Sequence, residues 1–332
     1  MVSRSWLIFD NPFFQSISSR LYFGLYLLDR FYHSLRYRKV NRPVISIGNL
    51  HAGGTGKTTL TAEIGEYLTK KGLNIVILSR GYKAGLRGNH KLEPGADPDQ
   101  YGDEPVMLAE RTGIPVLIGK NRLAGLKRYR QLKPDCLLLD DGFQYYRLHR
   151  DLDILTIDST SPMESYQLLP TGLLREPLTA FRRARVAVLT RCELADPAWL
   201  IYLEGLIRGI SPGIRIFRAC TAVRCWKNLN SETVQPPAEA ESICGIGNPE
   251  SFDRLLSGSG IKLAGKRVFP DHHKYSKADL SGLSGQTIVT TEKDAVKLKK
   301  IAGSISNIIY PQIGFDLPAE FYELIMVTAC CS

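Results

Sequence analysis

Three glycines, a lysine and two threonines stand close together in the segment Gly53-Gly54-Thr55-Gly56-Lys57-Thr58-Thr59, which follows a short apolar run. Glycines allow successive backbone N–H groups to turn toward one anion. In such a loop Lys57 would neutralise the β- and γ-phosphates of a nucleotide, and Thr58 would offer its hydroxyl to Mg²⁺. The usual pattern has glycine where this chain has His51, and a glycine-rich turn with a solvated lysine is the alternative. The spacing favours a loop from Ala52 to Thr59 that binds a nucleoside triphosphate at the positive end of a helix.

Two acids end another apolar run, Cys136-Leu137-Leu138-Leu139-Asp140-Asp141. In α/β folds that bind nucleotides, acids at the carboxyl end of a strand hold Mg²⁺ or its waters beside the phosphates. A strand-ending turn is the alternative for this run on its own. Together with the lysine loop, the run predicts the second half of a Mg–ATP site. Gln144 follows within the same turn and could orient a water or a substrate group.

Further titratable residues occur where a helix or a loop begins. Asp103 and Glu104 precede a helix-like run, and acids suit the first turn of a helix. A general base or an acid at a phosphate site is the alternative for this pair. His272 and His273 follow an apolar run, but adjacent histidines cannot both point one way, so they are weak grounds for a metal site. Two interpretations are possible: the histidines are solvated at the surface, or one of them tunes the pKa of a nearby Asp.

Two basic loops, which contain Arg80 and Arg122, follow predicted strands at the sheet edge where α/β folds bind ligands. A separate, proline-bounded loop carries the adjacent pair Arg175-Glu176. Arg175 could clamp a phosphate, and Glu176 could reach a metal or a sugar hydroxyl. Salt-bridged or solvated turns explain these loops equally well. The run Thr290-Thr291-Glu292-Lys293-Asp294 faintly resembles a base-recognition loop, but a strand-to-helix turn is the preferred interpretation.

These residues need a sheet to position them, and short apolar runs predict its strands. The runs alternate with helix-like stretches, which indicates a doubly wound α/β domain with a parallel sheet. A second, smaller α/β domain is predicted after residue 184, and the polar stretch 228–241 is predicted as a surface loop. The predicted strands are 44–47, 75–78, 116–118, 136–139, 154–157, 185–189, 214–218, 242–245, 267–269 and 288–291.

The composition of the 332 residues, of which 44% are hydrophobic, suits one large or two medium domains. The seven cysteines include no C-x-x-C pair, so we expect a reducing compartment and neither a disulfide scaffold nor a zinc site. No run of about eighteen apolar residues predicts a spanning helix. The net charge of +10 indicates an anionic partner. No nucleic-acid motif accompanies this charge, so nucleic acid is not the expected partner.

The N-terminal segment holds much of the basic excess, with seven basic and two acidic residues among the first 42. Apolar and aromatic residues recur at helical spacing over 13–37, which predicts one helix. Its amphipathic character, with an aromatic face and a basic flank, is typical of a helix lying at a bilayer interface. Packing against its own domain is the alternative. The predicted domains are this helix within 1–38, a P-loop kinase domain over 39–184 and a second domain over 185–332.

Taken in order, the motifs resemble those of the tetraacyldisaccharide 4'-kinase family, the lipid A 4'-kinases, over roughly residues 10–300. The resemblance implies a P-loop fold that transfers phosphate from ATP, with Mg²⁺, to the 4'-hydroxyl of a lipid A disaccharide 1-phosphate precursor. It also implies a peripheral or monotopic enzyme at the cytoplasmic face of the inner membrane, and we expect a monomer. A membrane-attached P-loop ATPase that switches a partner is the alternative. The matching segments are 46–49, 53–58, 78–82, 102–105, 139–144, 173–177, 247–249, 269–273 and 291–295.

The resemblance assigns roles to the residues picked out above. Asp103 becomes the catalytic base, assisted by His272, and Lys57 holds the phosphoryl group during its transfer. The residues implied on the metal side are Thr58, Asp140, Asp141 and Glu176. The residues implied on the substrate side are Asn49, Arg80, Tyr82, Arg122, Gln144 and Arg175.

Overall fold

The computed structural model describes residues 17–81, 88–93, 95–283, 285–303 and 307–331. Tyr82 and residues 13–16 of the predicted N-terminal helix lie outside the described residues. The helices are α1 (Ile17–Ser34), α2 (Lys57–Lys70), α3 (Pro98–Tyr101), α4 (Asp103–Thr112), α5 (Arg122–Arg128), α6 (Pro197–Ile210), α7 (Pro249–Gly258), α8 (Glu292–Leu298) and α9 (Ala319–Cys330). The strands are β1 (Val44–Gly48), β2 (Ile75–Ser79), β3 (His90–Lys91), β4 (Val116–Ile118), β5 (Cys136–Asp140), β6 (Leu152–Asp158), β7 (Val186–Thr190), β8 (Arg215–Arg218), β9 (Cys220–Asn228), β10 (Thr233–Val234), β11 (Glu239–Cys244), β12 (Lys262–Val268), β13 (Ile288–Thr290) and β14 (Ile308–Asp316).

The chain divides into two units, each built from separated segments. Unit 1 takes its described residues from 17–57, 141–220 and 317–331, and unit 2 takes them from 58–140 and 221–316. The predicted boundary after residue 184 is not where the chain divides. Strand β7 pairs with β6 along its length, and β8 pairs with β7, so both strands belong to unit 1 together with β6.

Unit 1 contains parallel strands in the order β1-β6-β7-β8. Each residue of β1, β6 and β7 is buried, as expected for short apolar strands in a parallel sheet. Gly48 ends β1 where a Cβ atom would lie only 2.5 Å from the Cβ of Phe143, so glycine permits this approach. Helix α6 buries an apolar stripe at helical spacing, formed by Leu200, Leu203 and Ile207.

Unit 2 contains two groups of strands. The first has the order β3-β4-β2-β5, in which β4, β2 and β5 are parallel and β3 is antiparallel to β4. The second has the order β10-β9-β14-β13-β11-β12, with parallel pairing from β14 to β12. The parallel strands of both units confirm the predicted α/β class. The predicted loop 228–241 is wrong in part, because it contains β10 and the start of β11.

A buried arginine anchors α4 within unit 2. The side chain of Arg111 is 1% exposed, and it pairs with Glu66 of α2 (2.9 Å) and Glu292 of α8 (3.3 Å). It also donates to the Ile313 carbonyl of β14 (2.8 Å). These contacts hold together the three elements around α4, whose first residue is Asp103.

Helix α1 contacts the rest of unit 1 through polar side chains. The hydroxyl of Ser19 lies 2.9 Å from that of Thr171, and the Tyr22 hydroxyl donates to the Arg175 carbonyl (2.9 Å). Both partners belong to the loop between β6 and β7. Among the helices that the structure describes, none is both long enough and apolar enough to cross a membrane.

Candidate active site

The predicted nucleotide-binding segment 52–59, which we call the phosphate loop, joins β1 to α2. Gly53 and Gly56 have φ values of 148° and 83°, a backbone region that residues with a Cβ atom avoid. Asn49 follows β1 and is fully buried, and its side-chain amide donates to the Gly53 carbonyl (3.2 Å) and to Thr55 Oγ1 (2.8 Å). Asn49 therefore supports the loop from within, and its predicted contact with substrate stays a prediction.

Three residues at the ends of β6 and β7, which we call the β7 brace, hold the carbonyls of the phosphate loop. Thr190 donates its hydroxyl to the Thr55 carbonyl (3.2 Å), and the Arg191 guanidinium donates to the Gly54 carbonyl (3.0 Å). Arg191 also pairs with the third member, Asp158. A loop whose N–H groups converge on an anion leaves its carbonyls in need of other donors. Sequence reasoning missed the brace, although Thr190 and Arg191 directly follow a predicted strand.

His51 stands where the usual pattern has glycine, and it is buried. It forms an isolated antiparallel bridge with Leu174, its ring packs edge-on against Tyr166, and its Nε2 lies 3.3 Å from Ser165 Oγ. Burial lowers the pKa of His51 to about 4, so the ring is neutral at pH 7. His51, in place of glycine, thus fixes the start of the phosphate loop and adds no charge next to it.

Two cations of unit 1 meet at Asp141, the residue that follows β5. Arg175 donates two hydrogen bonds to the Asp141 carboxylate (2.8 and 3.1 Å), and Lys57 Nζ lies 3.9 Å from its Oδ1. Burial alone would lower the pKa of Arg175, but the charge of Asp141 outweighs burial and raises it. Arg175 also donates to the Asn49 carbonyl (3.2 Å). The structure therefore brings together Lys57, Asp141, Arg175 and Asn49, which lie far apart in the sequence.

Glu176 is fully buried, and three side chains already occupy its carboxylate. Arg183 donates two hydrogen bonds (2.7 and 3.1 Å), the Tyr26 hydroxyl donates to Oε2 (2.8 Å) and the Gln144 amide donates to Oε1 (2.9 Å). Burial alone would raise the pKa of Glu176, but the hydrogen bonds and charge of Arg183 outweigh burial and lower it. These contacts make Glu176 the centre of a buried ion pair and do not favour its predicted role as a metal ligand. The substrate role of Gln144 stays a prediction.

Within unit 2, Asp140 is buried at the end of β5. Its Oδ1 accepts a hydrogen bond from Thr61 Oγ1 (3.2 Å), and Thr61 lies about one turn of α2 beyond Thr58. Arg122 is also buried, and it donates to the Asp140 backbone carbonyl (3.1 Å). Arg80 is exposed where β2 ends. The predicted substrate roles of Arg122 and Arg80 stay predictions.

Asp103 and His272 meet in unit 2, although 169 positions separate them in the chain. Asp103 is the first residue of α4, and the backbone turns into the helix at Gly102, whose φ is 89°. His272 Nδ1 lies 2.9 and 3.1 Å from the two carboxylate oxygens of Asp103. The Asp103 Oδ1 atom also accepts from the Glu104 N–H (3.0 Å). Asp103 thus begins a helix, as the first interpretation of its position predicts. It also contacts His272, so the structure brings this histidine next to an Asp, as the second interpretation of the histidine predicts.

Two lysines of α8 also face Asp103. The Nζ atoms of Lys293 and Lys297 lie 3.8 and 3.9 Å from Asp103 Oδ2. Burial alone would raise the pKa of Asp103, but the hydrogen bond from His272 and the charges of the lysines outweigh burial and lower it to about 2. Asp103 is therefore ionised at neutral pH. The run that contains Lys293 begins α8 after the capping residue Thr291, so the predicted strand-to-helix turn is confirmed.

These sites define a class of protein: a parallel α/β protein with a phosphate loop for a nucleotide, and an ionised aspartate paired with a histidine. The family model described as tetraacyldisaccharide-1-P 4'-kinase matches residues 16–329. The chain belongs to this family.

Similar proteins agree with that assignment. The tetraacyldisaccharide 4'-kinase of Geobacter metallireducens is 36% identical over 295 residues, which cover 84% of this chain and 85% of that protein. The protein of the same name from Geobacter sulfurreducens is 38% identical over 279 residues, covering 79% of this chain and 76% of that one. The crystal structure of LpxK from Aquifex aeolicus in complex with ATP has 30% sequence identity and a TM-score of 0.75, covering 98% of both chains. The resemblance predicted from the motifs is therefore confirmed.

Proposed function

We propose that this chain transfers the γ-phosphoryl group of ATP to the 4'-hydroxyl of a tetraacyldisaccharide 1-phosphate, a step of lipid A biosynthesis. Family membership supports the reaction, and the ATP complex of the Aquifex aeolicus protein supports the phosphate donor. The observation that carries the proposal is the contact of 2.9 Å between Asp103 and His272. A phosphate loop alone would serve an ATPase equally well, whereas an acceptor alcohol needs a group that takes its proton.

In this reaction the O–H bond of the 4'-hydroxyl breaks, and its oxygen bonds to the γ-phosphorus as the bond to the ADP oxygen breaks. We propose that the His272 ring accepts the released proton at Nε2, while the Asp103 carboxylate, hydrogen-bonded at Nδ1, stabilises the charge that the ring gains. Asp103 is present as the anion because its pKa is about 2, and it orients the imidazole through Nδ1. Lys57 and the amides of the phosphate loop offset the negative charge of the group in transfer.

The side chains present suit Mg²⁺, which prefers hard oxygen ligands and takes few of them from protein when phosphates are bound. Thr58 and Asp140 would hold it, and the hydrogen bond from Thr61 orients one Asp140 oxygen. In the described part of the chain, no three His, Cys, Asp or Glu side chains gather into a denser metal site. The ion would neutralise phosphate charge during transfer.

A direct test follows the γ-phosphate label of ATP in the presence of Mg²⁺ and a detergent-dispersed tetraacyldisaccharide 1-phosphate. We expect the label on the lipid, and Lys57→Met should reduce the rate on the order of 10²-fold or more. Asp103→Asn should reduce the rate by a comparable factor, while Asp99→Asn, which changes an exposed acid of α3, should not. Label recovered only as free phosphate would support the ATPase alternative. Normal transfer by a folded Asp103→Asn protein would remove the Asp–His pair as the proton acceptor.

We also propose that α1 attaches the enzyme to the cytoplasmic face of the inner membrane, where its glycolipid substrate would lie. Ser19 and Tyr22 face the loop between β6 and β7 of unit 1. Leu21, Leu25 and Leu28 are 59–67% exposed. Phe31 continues this face, since its spacing places it on the same side of α1, and the exposed Leu35 directly follows the helix. An exposed apolar stripe beside basic residues suits a bilayer interface with anionic lipids.

Flotation with vesicles tests this attachment. The triple variant Leu25→Ser, Leu28→Ser, Phe31→Ser should lose binding to vesicles that contain phosphatidylglycerol. Its matched control is Ile201→Ser with Tyr202→Ser, which changes exposed apolar residues of α6 and should float like the wild type. Equal flotation of the α1 variant and the wild type would contradict the proposal.

A further inference from the structure

Lys293 stands at the centre of a cluster of charges in unit 2. Its Nζ atom lies 2.9 Å from Asp271 Oδ1, 3.7 Å from Glu104 Oε1 and 3.8 Å from Asp103 Oδ2. It also lies 3.3 Å from His272 Nε2. The side chain is only 16% exposed. Burial alone would lower the pKa of Lys293, but the three carboxylates outweigh burial and raise it. The residue is therefore a largely buried cation in direct contact with His272.

The chemistry of the donors fixes the form of the imidazole ring. An ammonium group can only donate, so the nitrogen that faces Lys293, Nε2 of His272, must accept and carries no proton. The proton of the neutral ring then lies on Nδ1, where it donates to the Asp103 carboxylate. Lys293 and Asp103 thus act on opposite nitrogens of one ring and select the same tautomer.

The neighbouring lysine cannot replace Lys293 in this contact. Lys297 Nζ lies 2.6 Å from Asp294 Oδ1, and Asp294 in turn accepts from the Gly245 N–H (2.8 Å) and the Thr291 hydroxyl (2.8 Å). Lys297 is therefore held by Asp294 near the start of α8. Of the pair Asp103 and His272, it approaches the carboxylate of Asp103. The contact with Nε2 is made by Lys293.

We propose that Lys293 is a positioning residue that holds His272 in the tautomer with its proton on Nδ1, so that Nε2 carries no proton when the acceptor alcohol takes the place of the ammonium group. The proposal rests on the proposed kinase function. The groups that face the ring are the carboxylates of Asp103 and Asp271 and the ammonium of Lys293. Without the ammonium group, two carboxylates would face the ring alone and would stabilise its doubly protonated form. That form cannot take a proton from the substrate, so the enzyme would need a higher pH to work.

The first experiment measures kcat of lipid phosphorylation against pH for the wild type and two variants. Lys293→Met should move the acid limb of the profile to higher pH by about one to two pH units, because it removes a unit charge in a partly buried site. Lys293→Arg keeps the charge and should restore the wild-type limb. The matched control is Lys299→Met, which removes an exposed lysine just beyond α8 and should leave the limb in place. A Lys293→Met profile that is lower by the same factor at every pH would show a structural role only and overturn the proposal.

The second experiment does not depend on the kinase reaction. Nitrogen-15 NMR of the histidine rings in the wild-type protein, assigned with His272→Gln, should show the His272 proton on Nδ1. In Lys293→Met the same ring should become doubly protonated at a higher pH than in the wild type. A proton on Nε2 in the wild type would refute the proposal. If the NMR result holds while no lipid is phosphorylated, the proposed function fails and the effect of Lys293 on the ring stands.

Discussion

Replacing Arg191 by Met tests whether the β7 brace shapes the phosphate loop. The change removes the donor to the Gly54 carbonyl and the partner of Asp158, and it leaves the Thr190 contact with Thr55 in place. A hydrogen bond from a charged donor contributes about 1.5–3 kcal/mol. The Arg191 side chain is 19% exposed, so water can replace part of this, and we expect a loss of about 1–2 kcal/mol in ATP binding. That loss corresponds to a Kd for ATP that rises roughly 5- to 30-fold.

The assay is equilibrium binding of ATP to the purified protein, together with the KM for ATP in lipid phosphorylation. Arg191→Lys retains one donor and should give an intermediate Kd. Arg208→Met, which removes an exposed arginine of α6 paired with Glu204, is the matched control and should bind ATP like the wild type. A folded Arg191→Met protein with wild-type affinity for ATP would refute the reasoning, because the loop would then hold its shape without the brace.

The remaining predictions concern stability and its dependence on pH. Gly48→Ala should lower the free energy of unfolding by about 1–3 kcal/mol in a urea titration, because the new Cβ would lie 2.5 Å from that of Phe143. Arg111→Met should cost about 3 kcal/mol in the same titration, because it removes a buried guanidinium and leaves Glu66 and Glu292, which are 27% and 10% exposed, without their partner. The folded-state pKa of Asp103 lies below its ordinary value, so its ionised form stabilises the fold above pH 4 and this contribution is lost as the pH falls toward 2. The stability difference between wild type and Asp103→Asn should therefore shrink by about 2 kcal/mol between pH 5 and pH 2.

The buried parallel strands could be predicted because their sequences are simple. The run Cys136–Asp140 is apolar until its last residue, and the structure buries all of it. Strand β14 was not predicted, because Pro311 and Gly314 interrupt its apolar pattern and both residues are typical of loops. Strand β9 was missed because its residues are mostly half-exposed and do not form a continuous apolar run.

The sequence around each site residue predicts the position of that residue in the fold but not its partners from remote parts of the chain. Polar residues at strand ends were identified, because an α/β sheet binds ligands there. Their partners could not be read from the sequence, since Glu176 meets Arg183 through a buried contact that no motif encodes. Lys293 and Arg191 were missed as supporting residues for the same reason. Each acts on an atom that is remote in the chain, His272 Nε2 in one case and the Gly54 carbonyl in the other.

The low pKa of Asp103 constrains where the rate of the proposed reaction can come from. A carboxylate surrounded by a histidine and two lysines is a weak base, so Asp103 gains little by taking a proton itself. Phosphoryl transfer passes through a loose transition state in which the attacking hydroxyl bears little new charge, and this state needs charge neutralisation more than strong deprotonation. The cations that hold Asp103 thus cost the reaction little while they fix the His272 ring. The larger share of catalysis then falls on the phosphate loop and Lys57, because their donors would face the charge that moves, while the brace holds the loop carbonyls.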